Sequence, residues 1–256
     1  MLNGSEIAHN TAFAMQGKEL AAATEASFSL AEKDFSTDMW LKATGDGTVL
    51  SHGNGTEKFK IALDRGMHLV LSVGNDTFTS SETVPQDSWC YLTVSYKRDG
   101  NGGLLNATVA DEATAQTKDM FRDCVTEAYN GAGTLSVGEN LKGAIHELTL
   151  WDVAHDNTEA QRQRQLTKMP STAHLIGYWK MDEGDGTLIN DYARNRHLVA
   201  TGDTWYLNNV NKAVSLDGNA HLAFFAGDLA VGTEDNRAVE LWVKAGKQQA
   251  EAQILQ

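Results

Sequence analysis

A glycoside hydrolase needs two carboxylates roughly 5–10 Å apart across a cleft. In a β protein, an alternating acidic strand is the usual way to display them. No Glu-x-Asp-x-x-Glu pattern occurs here, and Asp34, Asp38 and Glu147 each stand alone in strand or turn contexts. There is no Gly-x-Ser-x-Gly elbow and no glycine-rich phosphate loop, and the eight histidines never take the His-Glu-x-x-His spacing. No catalytic residue is therefore assigned, and the chain reads as a non-enzyme. The two cysteines, Cys90 and Cys124, lie outside any Cys-x-x-Cys or Cys/His cluster, which argues against structural zinc and leaves a disulfide open. Cys90, inside the strand-like run Trp89–Val94, reads as a buried, inert thiol. Trp205, flanked by Asp203 and Tyr206, is the candidate ligand-binding aromatic, because partial exposure suits it best among the tryptophans. By itself, Asp182-Glu183-Gly184-Asp185-Gly186 reads as a solvated acidic turn.

The elements that would position these groups are short and alternate with period two. Lys58–Leu63 alternates, Asp64-Arg65-Gly66 turns, and Met67–Val73 follows before Gly74-Asn75-Asp76, which predicts a hairpin. Further strands are expected at Tyr91–Tyr96, Leu104–Val109, Thr134–Val137 and Ile145–Trp151, with Lys97–Gly103 as a turn. Many short strands at this spacing, with few helices between, indicate a sandwich or barrel. Trp40 and Trp242, in alternating strands, are expected to fill the space between its sheets, with Trp89, Trp151 and Trp179 also packed. One short surface helix is expected over Thr158–Met169. Asp156 caps it, Glu159 completes a capping box and Pro170 stops it.

A repeat organises the whole. Asn10–Gly17 (NTAFAMQG) recurs as Asn211–Gly218 (NKAVSLDG), 201 positions on, and Met39–Ala43 (MWLKA) recurs as Leu241–Ala245 (LWVKA), 202 positions on. Two ordered matches at nearly constant offset mark one unit followed by the front of a second. Residues 1–155 are expected to form the first sandwich and 156–174 a helix and linker. Residues 175–256 would then open a second, truncated copy. Alternatively, 175–207 finishes the first sandwich. A copy stopped after its first strands leaves open edges, so self-association through it is one way to complete its core.

With 41% hydrophobic and 21% charged residues, the chain can bury a sizeable core. A net charge of −13 disfavours nucleic acid and anionic membrane surfaces as partners. No apolar run approaches the roughly 18–20 residues that span a bilayer. Met1–Ser5 has neither a basic start nor an apolar run, so a leader is expected elsewhere, in a longer parent.

The same segments carry a resemblance. Lys212–Gly218 (KAVSLDG) and Ala238–Ala245 (AVELWVKA), with Thr37–Ala43 (TDMWLKA) in the first unit, resemble the opening and Trp-centred strands of laminin-G-like, pentraxin-type modules. Those modules belong to the concanavalin A-like lectin/glucanase superfamily. Asp87–Gly100 (DSWCYLTVSYKRDG) and Leu135–Ala154 (LSVGENLKGAIHELTLWDVA) are similar to later strands of the family. Leu175–Leu198 (LIGYWKMDEGDGTLINDYARNRHL) is similar to the preamble found before many bacterial copies. The resemblance implies an all-β, antiparallel two-sheet jelly roll.

It also implies calcium, with Asp191 in the preamble loop and Asp217 after the opening strand as ligands; calcium takes six to eight oxygen ligands. The first unit departs from the pattern, with Gln16 in place of the opening-strand aspartate and His146 where the closing strand carries one. The function implied is a non-catalytic extracellular binding or adhesion module. It would recognise a glycan or an extracellular protein through rim loops, in a secreted or cell-surface bacterial protein. The alternative is a spacer repeat of a large surface protein; a hydrolase or lyase of this fold ranks below both.

Overall fold

Alternation sorts the side chains before any strand finds its partner. In His68–Val73 every second residue is buried, with Leu69, Leu71 and Val73 on one face. The computed structural model describes residues 11–16, 20–22, 28–54, 57–156, 158, 173–184, 186–201 and 205–207. Its strands are, first, β1 (Thr11–Gln16), β2 (Leu20–Ala22), β3 (Phe28–Ser29), β4 (Phe35–Ala43), β5 (Gly47–Asn54) and β6 (Glu57–Leu63). Next come β7 (His68–Val73), β8 (Asp76–Thr83), β9 (Trp89–Asp99), β10 (Gly102–Asp111), β11 (Thr117–Val125) and β12 (Ala132–Gly133). The last are β13 (Leu135–Val137), β14 (Lys142–Trp151), β15 (Leu175–Trp179), β16 (Leu188–Ile189), β17 (Leu198–Ala200) and β18 (Trp205–Leu207).

Two large antiparallel sheets form the sandwich. The front sheet runs β11-β10-β9-β4-β14-β1-β18, with β15 also paired to β14. The back sheet runs β16-β17-β2-β13-β5-β6-β7-β8, and β12 and β3 make a small separate pair. Consecutive strands such as β5 to β8 and β9 to β11 pair in order, and pairings between strands distant in sequence, such as β9–β4, β4–β14, β14–β1 and β13–β5, join these runs, as a jelly roll requires. The predicted hairpin is β6–β7, joined over Asp64–Met67. The expected Lys97–Gly103 turn is shorter than its composition suggests. Asp99 pairs with Gly102, and Gly100 takes the left-handed conformation at φ 58°, so a two-residue connection suffices.

Between the sheets lie Phe35, Met39 and Leu41 of β4, Leu92, Val94 and Tyr96 of β9, and Phe59, Ile61, Leu69 and Leu71 of the back sheet. Phe35 meets Phe59 edge-on at 4.9 Å and stacks on Tyr96 at 5.1 Å. Each such side chain contributes on the order of 1.5–3 kcal/mol through burial. Trp179 is packed into this core, fully buried.

Trp40 corrects one expectation. It is buried, but not between the sheets: Met39 and Leu41 point inward, so Trp40 points to the outer face of the front sheet. There it clusters with Trp89, Tyr91, Ala12, Ala110 and Ala144, and the His146 ring lies parallel to it at 6.2 Å. A third cluster joins Trp151, Leu175 and Tyr178.

Within 175–207, β15 pairs with β14, β17 with β2 and β18 with β1. The chain divides into two compact units, Met1–Lys212 and Ala213–Gln256. The second unit, with Asp217 and Trp242, lies outside the described residues, as does the helix expected after Asp156. Both cysteines are free, Cys90 buried and Cys124 exposed. Burial pushes the Cys90 thiol far up, which makes it inert.

Candidate functional site

The site is built where β14 changes partners. Its first half, Lys142–Ile145, pairs with β1, and its second half, Leu148–Trp151, pairs with β15. Glu147 falls between them, beside a register shift against β4, and takes a left-handed backbone at φ 54°. That conformation costs a non-glycine residue on the order of 1–2 kcal/mol. The ladder over-determines it, because the Glu147 N–H donates to the Lys180 carbonyl at 3.0 Å. Non-glycine residues held this way gather at functional sites.

The Glu147 carboxylate accepts a hydrogen bond from the Tyr178 hydroxyl. Burial raises the Glu147 pKa above the usual carboxylate range; the Tyr178 hydrogen bond and Lys180 oppose that rise, and Asp182 adds to it. Burial, then the Glu147 charge, pushes the Tyr178 phenol up as well. Tyr192 stands over this pair with its ring 6.0 Å from that of Tyr178 and 42% of its surface exposed. Lys180 Nζ lies 4.8 Å from the centre of the Tyr192 ring. Partial burial and the charges of Asp182, Glu183 and Glu147 hold the Tyr192 phenol protonated, with its pKa raised. Glu183 is braced by Asn190, whose backbone N–H and side-chain amide both donate to Oε1, at 2.8 and 3.2 Å. The result is an exposed phenol ring bordered by three carboxyl groups and one amine.

Asp191 holds the loop that presents Tyr192. Its Oδ1 accepts the N–H groups of Tyr178 and Ala193 at 2.9 and 2.8 Å, and its Oδ2 those of Arg194 and Arg196 at 3.1 and 2.9 Å. The Tyr192 N–H donates back to the Tyr178 carbonyl at 2.8 Å. A carboxylate offers about four acceptor positions. In Asp191, 3% exposed, all four serve the backbone. This donor set does not fit the calcium that the resemblance implies at Asp191, and among the described residues no three Asp, Glu, His or Cys side chains gather as metal ligands.

The other sequence candidates lie elsewhere. Trp205 is partly buried, edge-on to Phe13 at 5.2 Å, and its indole N–H donates to the Gly186 carbonyl at 3.2 Å. Asp38 is fully buried and paired with His155 Nδ1 at 3.0 Å. Asp34 accepts the Arg98 N–H at 2.8 Å. His146, 4% exposed, is packed against Trp89 at 5.0 Å. Sequence reasoning noticed Glu147 only as an isolated carboxylate and passed over Tyr178, Lys180 and Tyr192. The one local signal was Asp191-Tyr192-Ala193, an aspartate turn with an aromatic at its tip.

Residues 16–161 match the Laminin_G_3 family model of the concanavalin A-like lectin/glucanases superfamily. The chain belongs to that superfamily. Two solved structures share this laminin-G-like sandwich. One is a candidate carbohydrate binding protein from Bacteroides ovatus ATCC 8483, with TM-score 0.58 and 10% identity over 78% of this chain. The laminin-G-like chain spans only 60% of that protein's length. The other is the native heptameric SAP-like pentraxin from Limulus polyphemus, with TM-score 0.50 and 11% identity, covering 78% of this chain and 94% of that one. At these identities the likeness is one of fold. No curated protein sequence matches the chain.

Proposed function

We propose that this chain is a non-catalytic binding module that takes a glycan on the Tyr192 patch. One observation carries the reading: a tyrosine ring, 42% exposed, stands on a loop whose backbone Asp191 pins, within electrostatic reach of Glu147, Asp182 and Glu183. A sugar presents an apolar C–H face that stacks on an aromatic ring, while its hydroxyls donate to carboxylates. Rigid loop backbone, here tied down through Asp191, lowers the entropy cost of binding. The laminin-G-like sandwich and the candidate carbohydrate-binding role of its Bacteroides relative support the reading. An extracellular adhesive role rests on the same likeness.

A hydrolase reading would cast Glu147, with its raised pKa, as the general acid. Binding is favoured because the Glu147 carboxylate is already engaged by Tyr178. The test is a glycan array with the full chain, followed by calorimetry on the best ligand with wild type and Tyr192→Ala. Loss of affinity by about tenfold or more, equivalent to about 1.4 kcal/mol, supports the patch. Unchanged affinity in Tyr192→Ala removes it, silence across the array favours the spacer reading, and released reducing sugar establishes the hydrolase.

A further inference from the structure

The charges around Tyr192 carry more than a place to bind. Glu147, Asp182 and Glu183 all act electrostatically on its phenol, and all three act in the same direction. Against them stands Lys180, whose ammonium is already engaged over the Tyr192 ring at 4.8 Å. That cation also sits close enough to Glu147 to lower its pKa, so it is partly neutralised by the patch itself. The Tyr192 phenol, kept protonated, can still donate one hydrogen bond. Glu147 is engaged by Tyr178 and held toward its protonated form, and Glu183 Oε1 is taken by Asn190. The negative charge the patch offers outward is therefore chiefly that of the exposed Asp182 with Glu183 behind it, next to one neutral donor and the Tyr192 ring.

We infer that this patch sorts sugars by charge, taking amine-bearing sugars most tightly, neutral sugars next, and rejecting those with carboxylate or sulfate groups. The inference rests on the glycan-binding reading above and adds the class of ligand. Its physical basis is a difference of affinities. All three classes present the same C–H face to Tyr192 and similar hydroxyls to the carboxyl groups, so stacking and hydrogen bonding largely cancel in the comparison. Only the charged substituent differs. An anionic group placed beside Asp182 and Glu183 meets repulsion, and Lys180, the cation over the ring, is already engaged there. An ammonium in the same place meets attraction and replaces Lys180 at the ring or joins it. The net charge of −13 on the chain adds a long-range field of the same sign.

The experiment compares chitosan, fully N-acetylated chito-oligosaccharide and uronate oligomers of matched length against the full chain, at a pH where the chitosan amines are protonated and at low and physiological salt. About a fivefold step in affinity is expected per unit of ligand charge, the value for one exposed charge pair at about 4 Å. The steps should narrow as salt shortens the screening length from about 30 Å to about 8 Å. Asp182 is exposed, so Asp182→Lys tests the same point at a solvent-facing position. That variant should lose the preference for chitosan and gain affinity for the uronate. Equal affinities for the three ligands, or tighter uronate binding by wild type, would overturn the charge sorting while leaving Tyr192-dependent glycan binding intact. An Asp182→Lys variant that leaves the order unchanged would overturn it equally. Absence of binding by all three, with Tyr192→Ala indistinguishable from wild type, would take down the glycan reading itself.

Discussion

The hydroxyl of Tyr178 donates to the carboxylate of Glu147 across the one point where β14 passes from β1 to β15. A strained backbone, a carboxyl group resisting ionisation and an exposed ring are thus concentrated in one corner of the front sheet.

Glu147 makes stability depend on pH in a defined sense. Its folded pKa is raised, so the stabilising preference for the protonated form is complete below the unfolded value and fades as pH rises through the folded one. The groups that face it are Tyr178 and Lys180 on and after β15, and Asp182 beyond them. Glu147→Gln keeps an acceptor for Tyr178 and cannot ionise. Its Tm should match wild type below the unfolded carboxyl value, exceed it as pH rises through the folded one and hold a constant lead above that, read by thermal melts across the range. Parallel curves would show that Glu147 does not titrate differently in the folded chain.

Asp191→Ala leaves four backbone N–H groups without their acceptor at a buried position. A loss of about 3 kcal/mol or more is expected in urea unfolding, with glycan binding lost as the Tyr192 loop loosens. Asp191→Asn retains one carbonyl oxygen and should cost less. A cost under about 1 kcal/mol for the alanine variant would refute this role.

His155→Ala strands Asp38, whose side chain is fully buried and whose Oδ1 already lacks a partner. Removing one member of a buried pair typically costs about 3–5 kcal/mol. The double variant Asp38→Asn/His155→Ala should recover part of that, because the uncompensated charge is gone. Additive losses in the double variant would mean the two residues act independently.

Gly143→Ala tests the seam between β4 and β14. Gly143 has φ 154°, and an added Cβ would lie 2.3 Å from the Lys42 carbonyl oxygen and 3.0 Å from the Ala43 Cα. Both obstacles are backbone and cannot step aside. At least about 2 kcal/mol of destabilisation is expected from strain and overpacking together, measured as a fall in the urea midpoint at unchanged m-value.

Much of the fold was legible in one dimension. Period-two alternation and glycine-rich turns located β6, β7, β9, β10 and β14 to within a few residues, because a strand half-facing a core must alternate wherever it is placed. The same logic fixed Cys90 as buried and inert, and the absence of catalytic spacings steered the reading toward binding.

What alternation could not say is which face of a strand meets the other sheet when both faces are buried. Every residue of Phe35–Leu41 is buried, so nothing in that run marks Trp40 as outward and Met39 as inward; the sheet partner made the choice. Asp191 was assigned by analogy to calcium, and its oxygens accept backbone N–H groups that only the folded loop brings within reach. Glu147 and Tyr192 are 45 positions apart, and neither carries a mark of the other in sequence. Local periodicity is written residue by residue, but a site made from two strands and a loop exists only after long-range pairing has set the register between them.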